Sequence, residues 1–285
     1  EVIPCDSGIF TTQLWTTLRV RIHSQEHNPS PGRNINFFVG FYNTSGFRLL
    51  GIFSLKSDAV ALKVRDDYIG WTTNQRSRYR EHLVNMSVCC PTQPFGTNFL
   101  GGKLISLIAN EGLKSWKDKY HIDILAMTTT SLHGSFSQYS GMKWWKNISK
   151  TNGTMIIKPL RQELSFWRNW YKTNFPNEYD YCSSSTSPTQ TLLTLIFRVL
   201  NISKKEFLHE HRRGVFIRSI SPNYREFFTE QDETSTEVSE EDWRGWWYKK
   251  AMLRRSKRED EKTMDNSKLF HSYIDPRELN LYISI

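Results

Sequence analysis

Asp66 and Asp67 sit side by side in Arg65-Asp66-Asp67-Tyr68-Ile69-Gly70-Trp71, with Gln75-Arg76 close behind. Two adjacent carboxylates could orient or deprotonate an amine. Arg65, Arg76, Arg78 and Arg80 compete for them as ion-pair partners, and acids in a loop also cap turns through backbone N–H groups. A second group of candidates runs from Pro91 through Gly96 and Thr97 to Gly101, Gly102 and Lys103. Glycines between a strand and a helix leave N–H groups and the positive end of a helix dipole at one spot, which suits phosphate. It is not a Walker A loop, because Thr97 stands where the first glycine should be and Leu104 follows the lysine. Rossmann glycine spacing is absent too. A third group is Thr128 to Ser131, with Thr129 and Ser131 as hydroxyl candidates, together with Tyr139. A phenol of pKa near 10 can protonate a departing thiolate. The histidines His121, His133, His209 and His211 have no metal-ligand spacing, so no metal site is expected.

These side chains need elements to hold them. Leu83 to Cys90 is apolar enough for a buried strand, and Pro91 and Pro94 end any ladder because proline donates no N–H. Leu100, Leu104, Leu107 and Ile108 then recur at helical spacing. The expectation is a central strand at 83–90, a glycine turn, and a helix at 97–110. Asn36 to Asn43 and Arg48 to Leu55, split by Thr44-Ser45-Gly46, predict a hairpin. Residues 14–22 suit a strand or a short amphipathic segment. Residues 123–130, 155–157 and 214–220 predict strands, and 161–171 and 189–200 predict helices. A short helix is expected within 135–149, carrying Tyr139. The alternation predicts an α/β fold, a mixed twisted sheet with flanking helices, over a core at 36–225. An N-terminal segment (1–35) precedes it. An acidic linker and a basic, tryptophan-rich helical tail (226–285) follow it.

Within that tail, residues 243–258 predict a helix with Trp243, Trp246 and Trp247 toward one side. Arg254, Arg255, Lys257 and Arg258 supply dense positive charge for phosphates. The whole chain of 285 residues carries a formal net charge of +9, which favours a nucleic-acid or other polyanionic partner. Aromatic residues make up 14%, and the apolar runs are too short to span a bilayer, so no membrane partner is expected. Cys5, Cys89, Cys90 and Cys182 form no C-x-x-C pair and fit reduced thiols. With no signal peptide visible at the start, a cytoplasmic location is expected.

Arg65-Asp66-x-x-Ile69-Gly70-Trp71 followed by Gln75-Arg76 resembles the signature of the family of DruA, a component of the Druantia anti-phage system. Asn85-Met86-Ser87, Pro91 to Lys103, Thr128 to Thr130 with Gly134, and Tyr139 match in the family's order. So do Arg213 to Phe216, Asn223, Glu226-Phe227 and Trp246-Trp247. The similarity covers about residues 50 to 260. Val88-Cys89-Cys90-Pro91 departs from the family's usual R-F-L-I-L-P, and Thr128-Thr129-Thr130 from its E-T-F. The resemblance implies a defence, phage or mobile-element setting, with protein partners in a complex.

The strand–turn–helix order is similar to that of GNAT acyltransferases, and in that general sense to the phage DNA-modifying protein Mom. That likeness implies an acyl-CoA-like donor held by Pro91, Gly96, Thr97, Gly101, Gly102 and Lys103. Tyr139 would act as the acid, and Asp66, Asp67, Thr129 and Ser131 would attend the acceptor. Arg65 and Arg76 would join the tail cations in holding nucleic acid. Three functions stay open: a transferase acting on DNA, a non-catalytic nucleic-acid-binding subunit of a defence complex, and an interaction protein using its tryptophan-rich tail. The transferase is favoured, because the threonine and RDD motifs are more elaborate than folding requires.

Overall fold

In a computed structural model of the chain, the described residues are 1–5, 8–23, 32–44, 46–93, 95–151, 155–157, 159–185, 187–209, 212–231 and 242–260. The organising hairpin is β2 (Asn34–Asn43) and β3 (Gly46–Ser57), entered at Gly46 with φ +110°. Its register is set by aromatic pairing. Phe37 lies directly opposite Phe53 with rings stacked 4.4 Å apart, while Phe38 opposes Ile52 on the other face. β1 (Val2–Pro4) adds an edge strand to β2, and α1 (Ile9–Ile22) packs Trp15 and Leu18 on Phe38, Ile52 and Val88. Residues 14–22 are thus helical. Leu14, Trp15, Leu18 and Ile22 repeat at three- and four-residue steps, and only a helix brings them to one face.

β4 (Leu83–Pro91) pairs antiparallel with β3 and parallel with β5 (Ala126–Ser131). The completed seven-stranded sheet runs β1-β2-β3-β4-β5-β9-β6, with β6 at Lys146–Lys150 and β9 at Gly214–Ser219. β4 is therefore central, as its apolar run predicts. Between β3 and β4 lie α2 (Lys63–Ile69) and α3 (Thr73–Tyr79). The crossover from β4 to β5 holds α4 (Phe95–Asn98), α5 (Gly101–Ile108) and α6 (Gly112–Tyr120). The helix expected at 97–110 is split in two, because Leu100 adopts φ +54°. Buried Arg218 of β9 ties α5 to the sheet by donating to the Ser106 and Leu107 carbonyls at that helix's last turn.

A helical insert separates β6 from β9. β7 (Met155–Ile156) and β8 (Leu208–His209) close it, and α7 (Arg161–Asn174), α8 (Pro176–Ser183) and α9 (Pro188–Val199) share a small core of Tyr171, Cys182, Leu192 and Ile196. α10 (Tyr224–Phe228) and α11 (Trp243–Asp260) complete the described chain. Residues before 36 supply the edge strand and a covering helix. Among the described residues, no helix is long and apolar enough to cross a membrane.

The helix expected within 135–149 is absent, and turns lead there into β6. Gly134 and Gly141 take φ +59° and +70°. The Ser140 and Ser137 hydroxyls accept the Ser137 and Tyr139 amides, so side chains take the N–H groups a helix would need.

Candidate functional site

The RDD motif is not a loop. Residues 63–69 form α2, closed by Gly70 in the left-handed region at φ +86°. Arg65, with no exposed surface, extends beneath the helix. Its Nη1 meets Asp58 Oδ2 at 2.9 Å and the Ala59 carbonyl at 2.8 Å. Its Nη2 and Nε meet Asp66 Oδ1 at 2.6 and 2.9 Å. Asp66 also accepts from Trp71 Nε1 at 3.0 Å, Arg76 Nη1 at 3.1 Å and the Leu62 amide at 3.1 Å. Burial pushes the Asp66 carboxyl up, but the Arg65 bonds and charge, the Leu62 amide and the Trp71 indole outweigh it, and its pKa falls below the ordinary value. Burial likewise opposes the Arg65 charge, yet Asp58 and Asp66 hold its pKa above normal.

Gln75 completes the knot. It forms a capping box with Thr72 at the start of α3, and its Nε2 donates to the Thr229 carbonyl at 3.1 Å. Above lies an open cleft of about 440 Å³ lined by Ala61, Lys63, Asp66, Asp67, Gly70, Trp71, Thr73 and Arg76. Lys63 pairs with Asp67 at its rim at 3.1 Å. Asp66 and Asp67 therefore differ: the first is spent on four neighbours, and the second is exposed beside a lysine. Arg65, expected to hold nucleic acid, is sealed from any ligand. Arg76 remains at the cleft.

The other expected residues lie on the opposite face of the sheet. Strand side chains alternate in direction, so Met127 and Phe216 face one core with Tyr139 and Ile105, while Ala126 and Ile217 face another with Ile69 and Trp71. The cleft anticipated between Asp66, Gly96 and Thr129 is not one cleft. Buried Thr129 donates to the Met86 carbonyl at 2.8 Å, continuing the link between β4 and β5 where their ladder stops after Asn85 and Thr128. Ser131 accepts the His133 amide. Tyr139, buried beside Cys89, Trp145 and Phe216, accepts from Gln138 Nε2 at 3.1 Å. Burial pushes its pKa well above the ordinary value, so it is a weaker acid than a free phenol.

The glycine turn is filled. A Cβ on Gly101 would stand 2.7 Å from the Phe95 ring and 2.8 Å from Gly96 Cα, and one on Gly102 would strike Gln138. Lys103 is directed at the Gln138 and Ser140 carbonyls. Gly96 packs near Pro91 and Gln93, and Thr97 gives its amide and hydroxyl hydrogens to Gln93 Oε1. α11 then covers the turn. Trp247 lies tilted against Phe95 and donates to the Leu100 carbonyl at 3.4 Å, and Arg254 Nε donates to the Thr97 carbonyl at 2.9 Å. Trp246 meets Trp144 edge-on, and Asp242 caps the helix by accepting the Gly245 amide at 2.7 Å. The tryptophan side thus docks on the core, while Lys249 and Lys250 point outward, exposed. Arg255, Lys257 and Arg258 have side chains outside the described residues, and the acidic stretch at 232–241 also lies outside them.

Sequence reasoning missed Asp58, the second partner of Arg65, since a lone acid seven residues upstream has no signature. It also missed a cluster of Tyr68, Lys146 and Arg225, which are brought together from three distant elements.

The fold and its arginine–carboxylate knot define a mixed α/β protein with a seven-stranded sheet and a small polar cleft against one face. The family described as Druantia protein DruA matches residues 4–230, and the chain belongs to that family. Druantia protein DruA of Escherichia coli (strain UMEA 4076-1) is 30% identical over 215 residues, covering 67% of this chain and 52% of that protein. The chain spans about half the length of this curated relative. No solved structure matches.

Proposed function

We propose that the chain is the nucleic-acid-contacting component of an anti-phage defence assembly, working by binding. The observation that carries this is the posture of α11, whose tryptophans dock while Lys249 and Lys250 are left to solvent. Lys249 and Lys250 are exposed, and no ion pair among the described residues engages either one. A net charge of +9 adds a general attraction for phosphates. Membership in the family of an anti-phage component supplies the defence setting, and with it protein partners.

A transferase that modifies DNA, built on a GNAT-like core with an acyl-CoA-like donor, is the second reading. What favours it is that β4 and β5 are paired only at Leu83–Asn85 and Ala126–Thr128 and then part, ahead of the turn into α4 and α5. The gap is plugged by Gln138, whose Nε2 donates to the Cys89 carbonyl at 2.9 Å. A donor could enter only if Gln138 and α11 moved away.

Fluorescence anisotropy with labelled single- and double-stranded oligonucleotides over a salt series tests the first reading. The logarithm of the affinity should fall linearly with the logarithm of the salt concentration. Changing Lys249 and Lys250 to Gln should reduce the duplex slope by about 1.8, at roughly 0.9 per phosphate contact. Absence of binding at low salt overturns the proposal.

A further inference from the structure

Tyr68, on α2, has two cations from elsewhere in the chain at its ring. Lys146 Nζ, on edge strand β6, is 5.0 Å from the Tyr68 ring centroid. Arg225 Cζ, on α10, is also 5.0 Å from it. Both cations are exposed at the surface, and among the described residues no ion pair engages either. Arginine and lysine are commonly neutralised by a nearby carboxylate; here an aromatic ring is what they share.

The base of this cluster is fixed. α2 is pinned by the Arg65–Asp66–Asp58 knot, and Tyr68 packs with Ile148 and Phe227 against buried Ile69, Tyr224 and Phe228. Two cations over one immobile ring lose less side-chain freedom on meeting an anion than two free surface lysines would.

We propose that Tyr68, Lys146 and Arg225 form a binding site for a phosphate oxyanion, occupied by the phosphodiester backbone of a nucleic acid. The site deepens the nucleic-acid reading above, but it is on different elements from the α11 surface and can fail separately.

One consequence is specific to this arrangement. The bound phosphate and the ionised phenol are rival anions for the same two cations. Burial pushes the Tyr68 pKa up, but the Tyr224 and Lys146 hydrogen bonds and the Lys146 and Arg225 charges outweigh it, and the phenol ionises below its ordinary value. Burial first, and then its interaction with Tyr68, raise the Tyr224 pKa. The charged or titratable groups acting on Tyr68 are Lys146 on β6 and Tyr224 and Arg225 on α10, with Glu226 acting in turn on Tyr224. Phosphate must therefore raise the Tyr68 pKa, and phosphate affinity must fall as pH rises through it, by linkage.

The test uses the full chain and two probes. The first is inorganic phosphate, with Tyr68 ionisation read as the phenolate absorbance difference between the wild type and Tyr68→Phe. The second is a labelled dT oligonucleotide titrated over a salt series. Phosphate should shift the Tyr68 midpoint upward. Lys146→Gln with Arg225→Gln should abolish that shift and lower the oligonucleotide salt slope by about 1.4, at roughly 0.7 per single-strand phosphate. Lys146→Arg should restore most of the slope. Both changed residues are at the surface, and an unaltered melting curve shows that the fold is intact. A phosphate-dependent shift with no change in oligonucleotide slope assigns the site to a free phosphate and overturns the backbone assignment. No shift and no slope change overturns the site altogether. Loss of slope in the Lys249/Lys250 variant alone would leave α11 as the sole contact, and would also overturn it.

Discussion

Asp66 concentrates more of the site's electrostatics than any other residue in the motif. It receives two arginines, an indole N–H and a backbone amide, and one of those arginines is fully buried. Replacing it by Asn leaves Arg65 with Asp58 as its only anion. Asp58 still neutralises Arg65, so the loss is that of hydrogen bonds to a charged group, roughly 1.5–3 kcal/mol. Urea unfolding at pH 7 should show a loss of that size for Asp66→Asn. The pH dependence has a definite sign. The folded carboxyl has a pKa below its unfolded value, so its contribution is complete above the unfolded pKa and is lost as pH falls through the folded one. Between pH 6 and pH 3 the wild type should therefore lose more stability than Asp66→Asn. An equal loss in both proteins would mean that Asp66 is an ordinary surface acid. The sequence made Asp66 and Asp67 look equivalent. It could not tell them apart, because what separates them is the side of α2 that each one leaves.

At the level of elements, the α4–α5 turn and α11 form one packed unit. Gly101 faces the Phe95 ring, and Phe95 in turn faces Trp247 with centroids 6.3 Å apart. Gly101→Ala should destabilise the chain by about 1–3 kcal/mol through overpacking. Trp247→Ala gives the Phe95 ring room to retreat. The double variant should then be less destabilised than the sum of the singles, by at least about 0.5 kcal/mol in a urea double-mutant cycle. Strict additivity would show that Phe95 does not transmit the strain. Much of this layer could be read in the sequence. The apolar run at 83–90, the leucine spacing behind it and the grouped tryptophans each follow from a period of two or of 3.6 residues. The split at Leu100 could not, since a leucine at positive φ is held by its surroundings and leaves no mark in composition. The turns at 132–145 escaped for a related reason: there Ser137 and Ser140 hydroxyls win amides that helix propensity alone would assign to a helix.

For the whole molecule, the order of strands decides what can share a site. Residues 65–71, 91–103 and 128–139 are near one another in motif order, but β4 and β5 stand between the first group and the rest. Which face a segment covers depends on the path of its connection, and that path was not legible in local pattern. Tyr68, Lys146 and Arg225 illustrate the converse. They are scattered through the sequence with no shared motif, and the fold makes them neighbours. The measurement that bears most directly on the central claim is hydrogen exchange of the full chain, free, with a DNA duplex at low salt, and with acetyl-CoA. Binding through the basic surfaces predicts slower exchange in residues 243–254 with DNA, and no change in residues 95–103 with acetyl-CoA. Slower exchange at 95–103 with acetyl-CoA, together with an unchanged pattern in DNA, would contradict the account and return the chain to the transferases.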